Sequence, residues 1–141
     1  MGSASRHGMG VRHFTELRCW QQSRELKRRM YALCARSPAC DDLDFCHQVR
    51  KAAASGPRNL SEGFSRFNHR EFHQFARIAR GSLGEIQDAL IDARDRRYIG
   101  DQEFQDLWKL SEEAISSTTG LMKYLHETKD HQFWGGAGGT K

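Results

Sequence analysis

Arg66, Arg70, His73, Arg77 and Arg80 follow one another at spacings of four, three, four and three. On a helix turning about 100° per residue, that register gathers them on one face, roughly opposite a stripe of Phe72, Phe75, Ala79 and Leu83. A row of guanidinium groups suits phosphate, which their planar fork grips with two bonds at once. Cations in the first half of a helix also oppose its macrodipole, at about 0.3 kcal/mol or more for those near the end. A stripe kept against that preference points to nucleic-acid binding or to a subunit interface. The same pattern also describes a solvated outer face. Arg50, Lys51 and Arg58 add positive charge on the preceding segment, without the aromatic fingerprint of a nucleic-acid-binding module. Contact through the whole set with RNA or DNA is expected to be sequence-independent and salt-sensitive.

Farther along the same helix the outer face turns acidic at Glu85, Asp88, Asp92 and Asp95. A helix with one basic and one acidic half suits self-association, in which the basic end of one copy meets the acidic end of another. Surface charge pairs are weak, so apolar contact must supply most of the energy of such an oligomer.

Catalytic signatures are missing. The chain has no phosphate-binding P-loop, no nucleophile elbow, no dinucleotide fingerprint and no H-E-x-x-H pair. Glu62 beside Asn59 and Ser61 makes a conceivable catalytic cluster, but a helix-terminal hydrogen-bond network explains it without a nucleophile–base pair. The four cysteines, Cys19, Cys34, Cys40 and Cys46, form no C-x-x-C pair. Cys40, Cys46 and His47 lack a fourth ligand at usual metal spacing, so neither a metal nor a cofactor is expected. Free thiols fit a reducing cytoplasm, and no apolar run reaches membrane-spanning length. The protein is expected to be a cytoplasmic non-enzyme.

The elements that must position these residues read as helices. The 141 residues suit one domain, with 38% hydrophobic residues, a mean hydropathy of −0.76 and only two prolines. Net charge is +4, carried by 16 Arg and 6 Lys among the 22 basic residues, a bias that arginine-rich codon usage also produces. Residues 1–13 and the Gly-rich tail 129–141 read as flexible, leaving residues 14–128 as the folded unit.

Helix one is expected from a Thr15 cap to about Arg36, stopped by Ser37-Pro38, with Cys19, Ser23, Leu26, Met30 and Leu33 inward. Helix two opens at Asp41 or Asp42. It buries Phe45, Val49, Ala52, Gly56, Leu60 and Gly63, and is expected to kink at Pro57. Helix three carries an Asn68…Glu71 capping box and an inner stripe of Phe72, Phe75, Ala79, Ser82, Leu83, Ile86, Leu90 and Ala93, and Gly100 supplies the left-handed break after it. Asp101 then caps helix four, which runs to about Glu127. Its inner stripe is Phe104, Leu107, Trp108, Ala114, Ile115, Thr118, Leu121, Met122 and Leu125. The fold class is all-α, an up-down-up-down four-helix bundle.

The run Gln48-Val-Arg50-Lys-Ala-Ala-Ala-Ser55-Gly-Pro57-Arg-Asn59-Leu-Ser-Glu62-Gly63-Phe64 resembles the four helix bundle proteins known as 23S ribosomal RNA intervening-sequence proteins. Phe72, Phe75, Ile78-Ala79, Gly81-Ser82-Leu83 and Glu85 extend the likeness, as do Phe14 to Leu17, Trp20 and Arg24-Glu25-Leu26. It covers about residues 14 to 127. The resemblance implies a bundle that assembles as a homopentameric ring, with Arg50, Ser55, Pro57, Asn59, Glu62, Gly63, Gly81 and Ser82 as structural motif residues. Many members have no assigned activity. A related branch serves as the accessory protein of diversity-generating retroelements, binding reverse transcriptase and nucleic acid through a basic surface. Gly56 stands where the family usually has isoleucine, and Leu60-Ser61 where Ile-Ala is common. The expectation is therefore an oligomer that binds RNA, the alternative an adaptor whose ring binds a protein partner.

Overall fold

A computed structural model of the chain describes residues 11–128; the flexible start and Gly-rich tail expected from the sequence otherwise lie outside the described residues. A short 3₁₀ turn, Phe14–Glu16, leads into α1, Arg18–Cys34. A second turn, Ala39–Asp41, precedes α2, Leu43–Phe64, which is followed by α3, His69–Asp95, and α4, Asp101–Glu127. No strand occurs among the described residues.

The described residues ahead of Phe14 are already in contact with the bundle. Val11 packs on the core, and the His13 ring caps the first turn by accepting from the Thr15 amide at 3.4 Å. Thr15 therefore does not cap α1. Its hydroxyl is taken up by His13 Nδ1 at 2.9 Å, and Leu17 stands at the N-cap with no side-chain bond. Burial of Leu17, only 7% exposed, sets that start where a capping bond does not. At its other end α1 stops two residues short of Arg36.

α2 starts as expected, with the Phe45 amide donating to Asp42 Oδ1 at 3.2 Å. It then runs unbroken through Pro57, whose ring is buried. In α3, Asn68 Oδ1 accepts from the Glu71 amide at 2.9 Å, but the Glu71 carboxylate turns to Arg66, 3.6 Å away. Ala76 is fully buried where Phe75 was expected, and Phe75 is half-buried beside it.

The left-handed residue after α3 is Arg97, with φ 63°, and not Gly100, which is extended and serves as N-cap of α4. Tyr98 donates its amide to Ala93 O at 2.8 Å and Arg97 donates to Arg94 O at 3.0 Å. This is the Schellman pattern, here with arginine at the glycine position. Asp101 is thus the first residue of α4 and not its cap.

Each helix packs on its sequence neighbours, and α1 closes on α4. End contacts set neighbours in opposite directions. Arg36 at the end of α1 pairs with Glu103 at the start of α4. Tyr98, just past α3, donates to Asp42 at the start of α2 at 2.6 Å, and His69 Nδ1 at the start of α3 lies 3.0 Å from Thr128 O beyond α4.

The core divides into two apolar clusters, one around Leu26, Met30, Leu33, Ile86 and Leu90, the other around Leu60, Phe64, Phe72 and Leu125. Between them each helix contributes a small or hydroxyl-bearing buried residue: Ser23, Gly56, Ser82 and Thr118.

Candidate nucleic-acid interface

Arg70, Arg77 and Arg80 project from α3 as exposed side chains, and no carboxylate pairs with them among the described residues. His73 is half-buried, its ring 6.2 Å from that of His126 on α4. Arg66 is different. It precedes α3 and braces the turn between α2 and α3, with Nη2 3.0 Å from Glu62, Nη1 3.6 Å from Glu71 and its guanidinium 5.0 Å above the Phe75 ring. The expected five-residue helical stripe is therefore three exposed arginines and one histidine on α3, with Arg66 held at its end.

The cations of α2 lie apart from these. Lys51 and Arg58 line an open groove of about 1400 Å³ between α2 and α3, whose other wall carries Glu85, Asp88 and Asp92. Neither Lys51 nor Arg58 pairs with those carboxylates among the described residues, and the ion pair of Arg96 with Asp42 at 3.0 Å closes one end of the groove. Arg50 is exposed on the side of α2 toward α1, where its charge acts on the Cys34 thiol. The groove floor is made of small residues, including Ala52, Ser55 and Ser82. Gly81 and Gly84 sit on its rim, with no atom of the other described residues within 4 Å of where a Cβ would stand. Arg70 and His73 border a second hollow of about 410 Å³, with His126 and Thr128 across from them.

The motif residues hold α2 against α3. Asn59 Nδ2 donates to Ser55 O at 2.8 Å and to Ser55 Oγ at 2.9 Å, and Ser82 Oγ donates to that same Oγ at 2.7 Å. Gly63 is buried in the same seam against Phe72 and Phe75, and Pro57 is buried elsewhere on α2. Glu62 faces outward to Arg66, and Ser61 Oγ donates back to Arg58 O at 2.9 Å. Asn59, Ser61 and Glu62 therefore send their bonds in three directions and assemble no catalytic group. Arg50 and Gly81, from the same motif, are exposed and make no such link.

With the helices meeting through these residues, residues 15–120 match the family model described as 23S rRNA-intervening sequence protein. The chain belongs to that family. No curated protein matches it.

In this family member the cysteines are packing groups. Burial pushes the Cys19 and Cys34 thiols up to about 12, which leaves negligible thiolate near neutrality. Cys46 donates from Sγ to Ala39 O at 3.2 Å, whereas His47 is exposed on the groove rim, so Cys40, Cys46 and His47 do not converge. No group of three potential metal ligands occurs among the described residues. No helix of the described residues is long and apolar enough to cross a membrane.

Sequence reasoning passed over a polar knot at one bundle end. The Asp42 carboxylate accepts from Tyr98 Oη at 2.6 Å and from Arg96 Nη1 at 3.0 Å, in addition to capping α2. The tyrosine hydroxyl and then the Phe45 amide hold Asp42 below the usual carboxylate range, and the same bond to Asp42 raises Tyr98. Asp42 was legible as a cap, but nothing in the spacing linked it to residues more than fifty positions away.

Proposed function

We propose that this chain is a non-enzymatic, oligomeric, cytoplasmic protein that associates with RNA through the outer face of α3. The observation that carries the reading is the exposure of Arg70, Arg77 and Arg80 on one rigid helix without carboxylate partners. Unneutralised guanidinium groups held on a helix release counterions from a phosphate backbone at no cost in broken ion pairs. Membership of a family named for ribosomal RNA genes agrees with that partner.

Fluorescence-anisotropy titration with labelled RNA and DNA at two salt concentrations tests it. Binding at low salt that weakens steeply at high salt supports the reading, and no binding at low salt sinks it.

Self-association belongs to the same proposal. Two open glycines in the middle of α3 each cost about 0.5–1 kcal/mol relative to alanine, and no contact among the described residues requires them. Beside a groove with oppositely charged walls, they fit the close approach of another helix, and a homopentameric ring is the assembly we favour.

That groove also supports the alternative, an adaptor whose ring takes a protein partner and no nucleic acid. Charge reversal at Arg70 and Arg77 that leaves RNA binding untouched but abolishes capture of a protein partner would replace the first reading with the second.

A further inference from the structure

Where the start of α3 meets the end of α4, the two helices leave between them the hollow of about 410 Å³. Its walls are fastened together. His69 is buried, and its Nδ1 lies 3.0 Å from Thr128 O and 3.2 Å from Thr128 Oγ1, so the first turn of α3 is tied to the residue that ends α4. Around that fastening the hollow is lined by Arg70, His73 and Gln74 from α3 and by His126 from α4, and no carboxylate lines it among the described residues.

The chemistry of this set is one-sided. Arg70 forms no ion pair among the described residues, and the His73 and His126 rings, from opposite walls, have centroids 6.2 Å apart, near enough for one small group to touch both. A guanidinium only donates hydrogen bonds, and an imidazole donates from one nitrogen when neutral and from both when protonated. A neighbouring anion favours the protonated ring. Such groups gathered without a carboxylate repel one another as they charge, and an anion of more than one charge relieves that repulsion. Two imidazoles beside a guanidinium make a poor metal centre, because the arginine repels a cation and cannot ligate it.

We propose that this hollow holds the terminal phosphate of an RNA strand, with Arg70, His73 and His126 as its donors. This rests on the RNA-binding reading above and adds which part of the RNA is held there. A backbone phosphodiester carries a single charge and has sugar on both sides, whereas a phosphate monoester at a chain end carries about −1.5 to −2 near neutral pH and is substituted on one side only. The monoester suits a hollow with donors on two walls, and the diesters suit the exposed row of Arg77 and Arg80. Hollow and row are continuous, because His73, Arg77 and Arg80 follow one another on α3 at spacings of four and three. A strand whose end sits in the hollow therefore has the exposed arginines ahead of it.

The test uses the full chain and a short unstructured RNA with an internal fluorophore, made with a 5′-phosphate, with a 3′-phosphate or with hydroxyls at both ends, and titrated at equal salt. At least one phosphorylated strand should bind roughly tenfold more tightly than the hydroxyl-ended strand, the weight of a hydrogen bond to a charged group. The strand that gains tells which end enters the hollow. His73→Ala with His126→Ala should bring that strand down to the level of the hydroxyl-ended one, whose own binding should stay within about twofold of the parent because the arginine row is intact. His126 is exposed, so His126→Ala leaves the core untouched and should by itself remove most of the advantage at an unchanged melting temperature. Equal affinity of the parent for all three strands, an advantage undiminished in both variants, or a loss that falls equally on hydroxyl-ended RNA overturns the inference while leaving RNA binding in place. Parent protein that binds none of the strands at low salt overturns this inference together with the reading beneath it.

Discussion

Gly63 on α2 lies directly under Phe72 of α3, so close that a Cβ added to it would stand 2.6 Å from the phenyl ring and 2.8 Å from Phe75 Cβ. Phe72 is fully buried and cannot swing aside. The glycine is therefore what lets α2 and α3 cross at this separation. Gly63→Ala gains about 1 kcal/mol of helix propensity but forces the helices apart, and overpacking of this kind costs about 1–3 kcal/mol. We expect a net fall in stability and a melting temperature lower by several degrees. An unchanged or raised value would show that the seam can open.

Gly56 presents the opposite case. A Cβ there would meet Ser23 Cβ at 3.7 Å and Ser23 Oγ at 3.8 Å, which is ordinary contact. Gly56 therefore leaves room for at least one methyl group. Gly56→Ala is expected to stabilise by about 0.5–1 kcal/mol. Across the same gap, the buried Ser23 hydroxyl has no hydrogen-bond partner among the described residues. An unmet buried hydroxyl costs about 1–3 kcal/mol, so Ser23→Ala should also stabilise. Denaturant melts of both variants and of the pair decide it. The two sites touch, so their effects should not add.

These two glycines show how far the sequence could be read. Period and spacing placed four helices and nearly every inward residue, because burial repeats with the helical turn. They marked Gly56 and Gly63 alike as small inward residues and could not say which one is in tight contact, since that depends on the crossing of α2 with α3. The same limit applied to the cations. Spacing put Arg66 in line with Arg70 and Arg77, but Glu62 and Glu71, brought together by the turn, claim it. Nor does any hydrophobic pattern report that Phe67, at the junction of α2 and α3, takes a left-handed backbone with φ 52°.

Arg97 offers a test of that kind of junction. It holds φ 63° at the position of the Schellman motif that glycine usually fills, and its side chain is exposed. Arg97→Gly removes roughly 1 kcal/mol of backbone strain, against which the greater freedom of glycine in the unfolded chain must be set. A small rise in melting temperature is expected, and a clear fall would mean that the arginine side chain contributes more than its backbone costs.

Asp42 predicts a pH dependence. Its carboxylate is held below the ordinary value by Tyr98 and by the Phe45 amide, so the unfolded chain takes up this proton at higher pH than the folded one. Stability from this group is therefore complete above about pH 4, the usual range of an aspartate, and is lost as pH falls through the lowered folded value. The raised Tyr98 acts at the other extreme, its contribution present below the ordinary tyrosine range and lost as pH rises through the folded value. Asp42→Asn should flatten the acid limb of a plot of melting temperature against pH. Parallel limbs in the two proteins would remove Asp42 from the account of acid unfolding.

Gly81 and Gly84 separate fold from assembly. With nothing among the described residues within 4 Å of either Cβ position, a larger side chain meets no obstacle there, so Gly81→Leu with Gly84→Leu should preserve or raise helicity. If another copy packs its helix against this face, the same two side chains hold it off, and the steric conflict acts only between molecules. Light scattering should then return a multiple of the 16.2 kDa chain mass for the parent and a smaller multiple or the single mass for the double variant, with circular dichroism unchanged. A parent that scatters as a monomer rejects the assembly altogether. An oligomer of undiminished mass in the double variant keeps the assembly and moves its interface away from α3.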